Sequence, residues 1–322
     1  MELSHVLGTT TRGKGFATWV LSLIANSLEK LSQKALDKAI TQLAACGTVA
    51  VIDITTRNTA RIADALEAAG IGGALAIEFF GFAGGKELQW PISIAELPAH
   101  ARKRITAAGH ALYSTHPDTL VAAKRWCTEQ GRPFSLHLAE HPDETKQMLT
   151  GSGDFADLLR KKGVLPAAWA PPGCRPVEYA DRLGLLDQQT LAGHCVQLDD
   201  TDIATLAARG TTVCLCPRSN AYIDVGLAPW KKLAAAGVPL CLGTDGLSSN
   251  SDLNLWNEAL DILEQPDSPG FCEVLRWMTS TPARLLGAES DYGTLEPGVV
   301  AGYSIVPDGA IRTAQAKGPE PF

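Results

Sequence analysis

The chain lacks a long apolar run, a basic surplus, a paired-cysteine motif and a glycine-rich phosphate loop. A membrane helix needs about 20 consecutive apolar residues. The longest candidates, residues 16–25 and 43–52, span about ten residues each and contain polar or small breaks. Lys and Arg total 28 against 35 Asp and Glu, a net charge of −7. No cationic excess is present to neutralise phosphates, which argues against nucleic-acid binding by bulk electrostatics. The opening Met-Glu-Leu-Ser-His is not a basic segment leading into an apolar core, so it does not read as a secretory signal. Eight cysteines are scattered without a Cys-x-x-Cys pair, and Cys214 and Cys216 alternate inside an apolar run as small hydrophobes. With 45% hydrophobic and 20% charged residues, the chain is expected to be a soluble, reduced, cytoplasmic globular protein without extended disorder.

What is present is alternation. Apolar runs at 48–54, 74–82, 111–115, 133–139, 190–194, 211–216 and 238–244 are each four to nine residues long, as buried parallel strands are. Between them lie amphipathic segments at 58–69, 118–130 and 199–209. Asn58 stands at an N-cap position, and Gly70, Gly131 and Gly210 follow the helical patterns as C-terminal stops. No Gly-x-Gly-x-x-Gly follows the first strand, so a (β/α)8 barrel of TIM type is favoured over an open dinucleotide-binding sheet. Seven runs are visible where a closed barrel has eight. Residues 16–25 and 28–45 have helical spacing, through Trp19, Leu23, Leu28, Leu31, Leu36, Ile40 and Leu43. The absent strand is the first, expected just before Met1. Trp19, Trp230, Trp256 and Trp277 are read as core.

In such barrels the chemistry sits at the C-terminal strand ends. The third run leads into His116, the fourth carries His137 with Glu140 after it, the fifth ends at His194 and the seventh at Asp245. Three imidazoles and a carboxylate at one mouth are a donor set for a divalent ion that activates water. Each residue alone has a bland reading, a solvated histidine or a turn aspartate. Their shared position at strand ends is the informative feature.

His137-Leu138-Ala139-Glu140, Gly193-His194, Cys216-Pro217-Arg218-Ser219-Asn220 and Gly243-Thr244-Asp245-Gly246-Leu247-Ser248-Ser249-Asn250 resemble the amidohydrolase superfamily, above all its deaminase and chlorohydrolase branch, which includes S-adenosylhomocysteine and aminofutalosine deaminases. The resemblance runs from Leu3 to about Gly302. It implies a metal-dependent hydrolase, in first place a deaminase of an aminated heteroaromatic, nucleoside-like ring. A chlorohydrolase or amide hydrolase is the neighbouring alternative. It implies His137 and Asp245 as ligands of one divalent ion, zinc first, with iron or manganese as alternatives. His194 would hydrogen-bond the attacking water, and Glu140 would carry protons to the ring. His116, Arg218, Ser219 and Asn220 would line the substrate pocket. The expected partner is a small molecule, without nucleic acid or membrane, with association into a homo-oligomer left open.

The family also places a His-x-His pair at the end of its first strand, and in this branch it continues into Leu-Glu-Leu-Ser-His. This chain begins Met1-Glu2-Leu3-Ser4-His5. The expectation is therefore an N-terminally truncated barrel over residues 1–290, and a partial β-sandwich segment over 291–322. Residues 292–301 resemble the return into that sandwich, although Ala301 is followed by Gly302 rather than Asp. A catalytically inactive remnant is the alternative function that follows from the absent pair.

Overall fold

A computed structural model describes residues 1–26, 31–299 and 304–316. Seven strands, β1 (Ala50–Thr55), β2 (Gly72–Phe79), β3 (Ile105–Ala111), β4 (Phe134–Leu138), β5 (Thr190–His194), β6 (Thr212–Leu215) and β7 (Leu240–Leu242), lie side by side in sequence order. Every neighbouring pair is parallel. Parallel neighbours need crossover connections, and helices supply them. Among them are Thr59–Ala68 between β1 and β2, Pro117–Glu129 between β3 and β4, and Asp200–Arg209 between β5 and β6. Among the described residues β1 and β7 do not pair, so the sheet is the curled, unclosed parallel sheet of a TIM-type barrel. No described helix is long and apolar enough to cross a membrane.

Local chemistry explains most boundaries. Asp199 accepts from the Asp202 amide at 2.9 Å, while the Asp202 carboxylate accepts from the Asp199 amide at 3.0 Å. This reciprocal capping box starts the helix that Gly210 ends at φ 65°. The helix after β1 is started differently from the expectation. Asn58 occupies the N-cap position but its side chain does not cap. The Glu2 carboxylate does so instead, accepting from the amides of Thr56, Arg57 and Asn58 at 2.6, 2.6 and 2.7 Å. A carboxylate at a helix N-terminus also meets the positive end of the macrodipole.

The third strand is a second difference. It runs over Ile105–Ala111, upstream of the expected 111–115. Residues 112–115 leave the sheet in a turn, with the Ser114 and Thr115 amides both donating to the Ala111 carbonyl at 3.2 and 3.1 Å. Gly109 is needed in that strand because a Cβ there would stand 2.1 Å from Leu120 Cδ2 of the covering helix. That small residue, beside Ala107 and Ala108, weakens the apolar signal of the run.

The expected N-terminal helix is present as Phe16–Ala25, and the next as Gln33–Ala45; Leu28 lies outside the described residues. These segments tie the approach to β1 to the loop after β7. Leu36, Leu43, Ile62, Leu66, Leu75, Leu247 and Leu253 share one buried cluster. Thr10 Oγ1 and Trp19 Nε1 both donate to the Ser248 carbonyl, at 2.6 and 2.9 Å. Trp230, Trp256 and Trp277 are buried and Trp19 is partly buried against the main cluster. Each fully buried large side chain contributes roughly 1.5–3 kcal/mol.

Past residue 290 the described residues contain a helix, Asp308–Ala316, and no strand. Ser304 Oγ donates to the Cys46 carbonyl at 3.0 Å and accepts from Trp256 Nε1 at 2.9 Å. Ala301 and Gly302 lie outside the described residues.

Candidate active site and metal centre

Three of the strand ends bear a residue with a left-handed backbone and no glycine. Ala139 follows β4 at φ 50°, His194 closes β5 at φ 68° with Cys195 next at 48°, and Asp245 follows β7 at φ 53°. Each such residue costs on the order of 1–3 kcal/mol and persists only where its surroundings hold it. The sharp turn at Ala139 separates His137, which is partly exposed, from Glu140, which is buried.

Glu140 is held by the helix that follows it. His141 caps Pro142–Thr150, its Nδ1 accepting from the Glu144 amide at 3.2 Å. Glu144 reaches back, its carboxylate accepting from the Ala139 amide at 3.1 Å and the Glu140 amide at 2.8 Å. Glu144 is fully buried, and burial pushes its carboxyl up to about 8.

His194 lies at the centre. Its Nε2 is 3.1 Å from His137 Nδ1 and 3.6 Å from Glu140 Oε1, and its Nδ1 is 2.8 Å from Asn220 Oδ1. Burial and the neighbouring His194 push His137 down to about 4. Burial opposes the charged form of His194, but the Glu140 and Asp245 carboxylates outweigh it and raise its pKa. These directions favour a neutral His137 beside a His194 whose charged form the two carboxylates support. Burial pushes Glu140 up to about 7, against the pull of His194. A buried carboxyl close to neutrality beside an imidazole is a poised proton carrier.

Among the described residues two groups could hold an ion. Ligand atoms of Glu78, His110 and His137, and separately of His137, Glu140 and His194, lie within 4.8 Å of one another. Imidazole nitrogens with carboxylate oxygens suit zinc or a related divalent ion, so the residues present fit the metal that the resemblance implies. His137 belongs to both groups. Asp245 belongs to neither; it accepts at Oδ2 from Ser219 Oγ at 2.8 Å and from Ser249 Oγ.

The remaining expected residues fall in different places. Ser219 and Asn220 come to the centre on the helix Pro217–Ile223, one holding Asp245 and the other His194. Arg218 on the same helix is committed to structure. It pairs with both oxygens of Asp252 at 2.8 Å each and donates to Ser251 Oγ at 2.6 Å. His116 caps the helix Pro117–Glu129, with its Nδ1 accepting from Asp118, and packs over Gly84.

Sequence reasoning missed Glu78 and His110. His110 is the penultimate residue of β3, bonded through Nδ1 to Ser114 Oγ at 2.6 Å, with its ring centroid 5.2 Å from that of His137. Burial and the neighbouring His137 hold it well below the usual imidazole range. Its signal was an imidazole following the small-residue run Ala107-Ala108-Gly109. Glu78 is the penultimate residue of β2, with Oε1 4.0 Å from His137 Nε2, and burial raises its carboxyl to about 7. A lone acidic residue inside the apolar 74–82 run was its signal.

A parallel sheet of TIM type whose C-terminal strand ends gather imidazoles and carboxylates defines the class of barrel hydrolases that use a bound ion. The Amidohydrolase family profile matches residues 4–318, and the chain belongs to that family. A 5-methylthioadenosine/S-adenosylhomocysteine deaminase of Pelotomaculum thermopropionicum is 32% identical over 259 residues, 76% of this chain and 55% of the relative. An aminofutalosine deaminase from Helicobacter pylori, solved with methylthio-coformycin, is 20% identical with a TM-score of 0.77, covering 98% of this chain and 79% of that one. An adenosine deaminase from Xanthomonas campestris with bound zinc is 23% identical with a TM-score of 0.75, covering 93% and 68%. These two likenesses show the fold. The chain spans about a third to just over half the length of the curated relatives it matches.

Proposed function

We propose that the chain carries the centre of a hydrolytic deaminase that releases ammonia from an aminated heteroaromatic ring of a nucleoside-like substrate. The names of its relatives point to methylthioadenosine, S-adenosylhomocysteine and aminofutalosine as the substrate class. The observation that carries this reading is Glu140, a buried carboxyl pushed up to about 7 and 3.6 Å from His194. Loss of ammonia from an aromatic ring requires a proton on the adjacent ring nitrogen, and Glu140 is suited to deliver it. His194, fixed by Asn220, orients a water for attack on the amino-bearing carbon. Asp245, held by Ser219 and Ser249, takes the proton that this water loses. His137 and Asp245 would hold the ion, with Glu78 and His110 beside His137; zinc is the first choice, iron or manganese the alternatives. When bound, the ion supplies Lewis acidity that lowers the pKa of water toward about 7.

The test is ammonia release from methylthioadenosine, S-adenosylhomocysteine and adenosine, comparing the native protein with Glu140→Gln. Ammonia release from the native protein and its loss in the variant support the reading. Undiminished release in the variant overturns the role of Glu140, and chloride release from a chlorinated ring without ammonia moves the assignment to the chlorohydrolase reading. A second reading, binding without turnover, draws on one observation: Asp245 stands outside both donor groups. Calorimetric titration with zinc separates the two, because a non-catalytic remnant gives no stoichiometric binding.

A further inference from the structure

At the opposite end of the sheet, a cavity of about 300 Å³ opens where β2, β3 and β4 begin. Lys103, Arg104 and Arg132 line it, with Gln130, Tyr292 and the backbone at Gly73. Arg104 Nε and one terminal nitrogen donate to the carbonyls of Gly73 and Gly72 at 3.0 and 2.7 Å, which fixes the guanidinium half-buried at the wall. Tyr292 crosses the start of β2 so closely that a Cβ at Gly72 would stand 2.3 Å from its hydroxyl oxygen.

Among the described residues none of the three cations forms an ion pair. Glu67 and Asp53 act on Arg104 only at a distance, and Asp53 is engaged by the Met1 amine at 2.5 Å. Three unpaired cations around one cavity are a local reversal in a chain of net charge −7. The six residues from Arg104 to His110 put this cavity about 20 Å from the imidazole cluster.

We propose that this cavity is a binding site for a phosphate group of a small phosphorylated metabolite, separate from the catalytic centre. Lys103 and Arg132 supply two positive charges to neutralise a phosphate dianion, and the planar guanidinium of Arg104 with the Tyr292 hydroxyl offers fixed donors to its oxygens. A single carboxylate would leave the cluster with surplus positive charge. The volume accommodates one or two phosphate groups with a small organic remainder. This site does not depend on the deaminase reading.

The experiment is calorimetric titration of the full chain with pyrophosphate and with inorganic phosphate at constant ionic strength, repeated with acetate. Saturable 1:1 binding of a phosphate species, at least 10-fold tighter than acetate, is expected. The Lys103→Ala/Arg132→Ala variant should bind at least 10-fold more weakly, and the Glu140→Gln variant as the native protein does. The single variant Lys103→Gln, on an exposed side chain, gives an intermediate loss and covers the case in which the double variant does not fold. Absence of saturable binding, acetate binding of equal strength, or full retention in Lys103→Gln and the double variant overturns the proposal.

Discussion

The two ends of the same seven strands are built from opposite chemistry. At the C-terminal ends, imidazoles and carboxylates are mostly buried, bonded to one another, and carried on left-handed turns at Ala139, His194 and Asp245. At the N-terminal ends of β2 to β4, three cations stand around an open cavity. The middle of β3 to β6 belongs to neither end: Ala107, Leu136, Ala192 and Val213 are buried apolar side chains. The apolar middle sets the spacing of the strands, and the ends are left to hold charges that no packing requirement explains. Strained backbone occurs at the end where acids and imidazoles must converge within 3–4 Å, as expected if position matters more there than stability.

The sharpest way to break this contrast is at Glu140. Replacing it with Gln removes the proton carrier while keeping the shape, so turnover of an aminated purine nucleoside should fall by roughly 10²–10⁴-fold. The melting temperature should hardly move, and ammonia release alongside a thermal melt checks both. Phe134 sharpens the contrast from the other side. It is fully buried at the start of β4, and truncation to Ala should destabilise by about 3–5 kcal/mol. A denaturation midpoint measures that loss.

The same division explains what could be read in advance. The seven-strand count, the parallel order and the helices at 16–25, 118–130 and 199–209 follow from apolar runs and caps, which are local properties of the chain. His137, Glu140 and His194 were legible because each sits at or just after the end of an easily seen strand. His110 was not, because Ala107, Ala108 and Gly109 make β3 look too weak to be a strand, and its partner Leu120 comes from a covering helix. Glu2 as the cap of the helix after β1 was also illegible, since it reaches a site more than fifty residues away. Arg218 is the converse case: a motif position suggested substrate contact, and tertiary pairing with Asp252 claimed the side chain instead.

Glu144 links the site to the helix beside it, and its truncation tests how far the strained end depends on that support. Glu144→Ala leaves the buried amides of Ala139 and Glu140 without acceptors, which should cost about 2–4 kcal/mol in a urea titration. The Ala139 turn loses its anchor at the same time, so turnover should drop although no atom of Glu140 has changed. Unchanged turnover with reduced stability would show that the left-handed turn is held by the sheet alone.

The smallest expected effect separates charge pairing at the rim from chemistry at the centre. Asp252 is held down to about 2, because the Arg218 guanidinium and the Asn254 and Asn257 groups favour its ionised form over the opposing effect of burial. A carboxylate depressed in the folded state stabilises above its unfolded pKa of about 3.9 and loses that contribution as pH falls through the folded value. The window is therefore about pH 4 down to 2, with stability falling on acidification. Arg218→Gln removes the main source of the depression, so its stability curve should be flatter across that window. Between pH 6 and 8 Glu258 also responds: burial pushes it up to about 7 and Arg218, 3.6 Å away, pulls it down, so the variant should lose further stability relative to the native protein as pH rises there. Since Arg218 binds the rim and not the ion-binding groups, zinc titration of this variant should match that of the native protein. A loss of zinc binding would mean that the rim and the centre act as one unit, and that the helix Pro217–Ile223 transmits the pairing of Asp252 to Ser219 and Asn220.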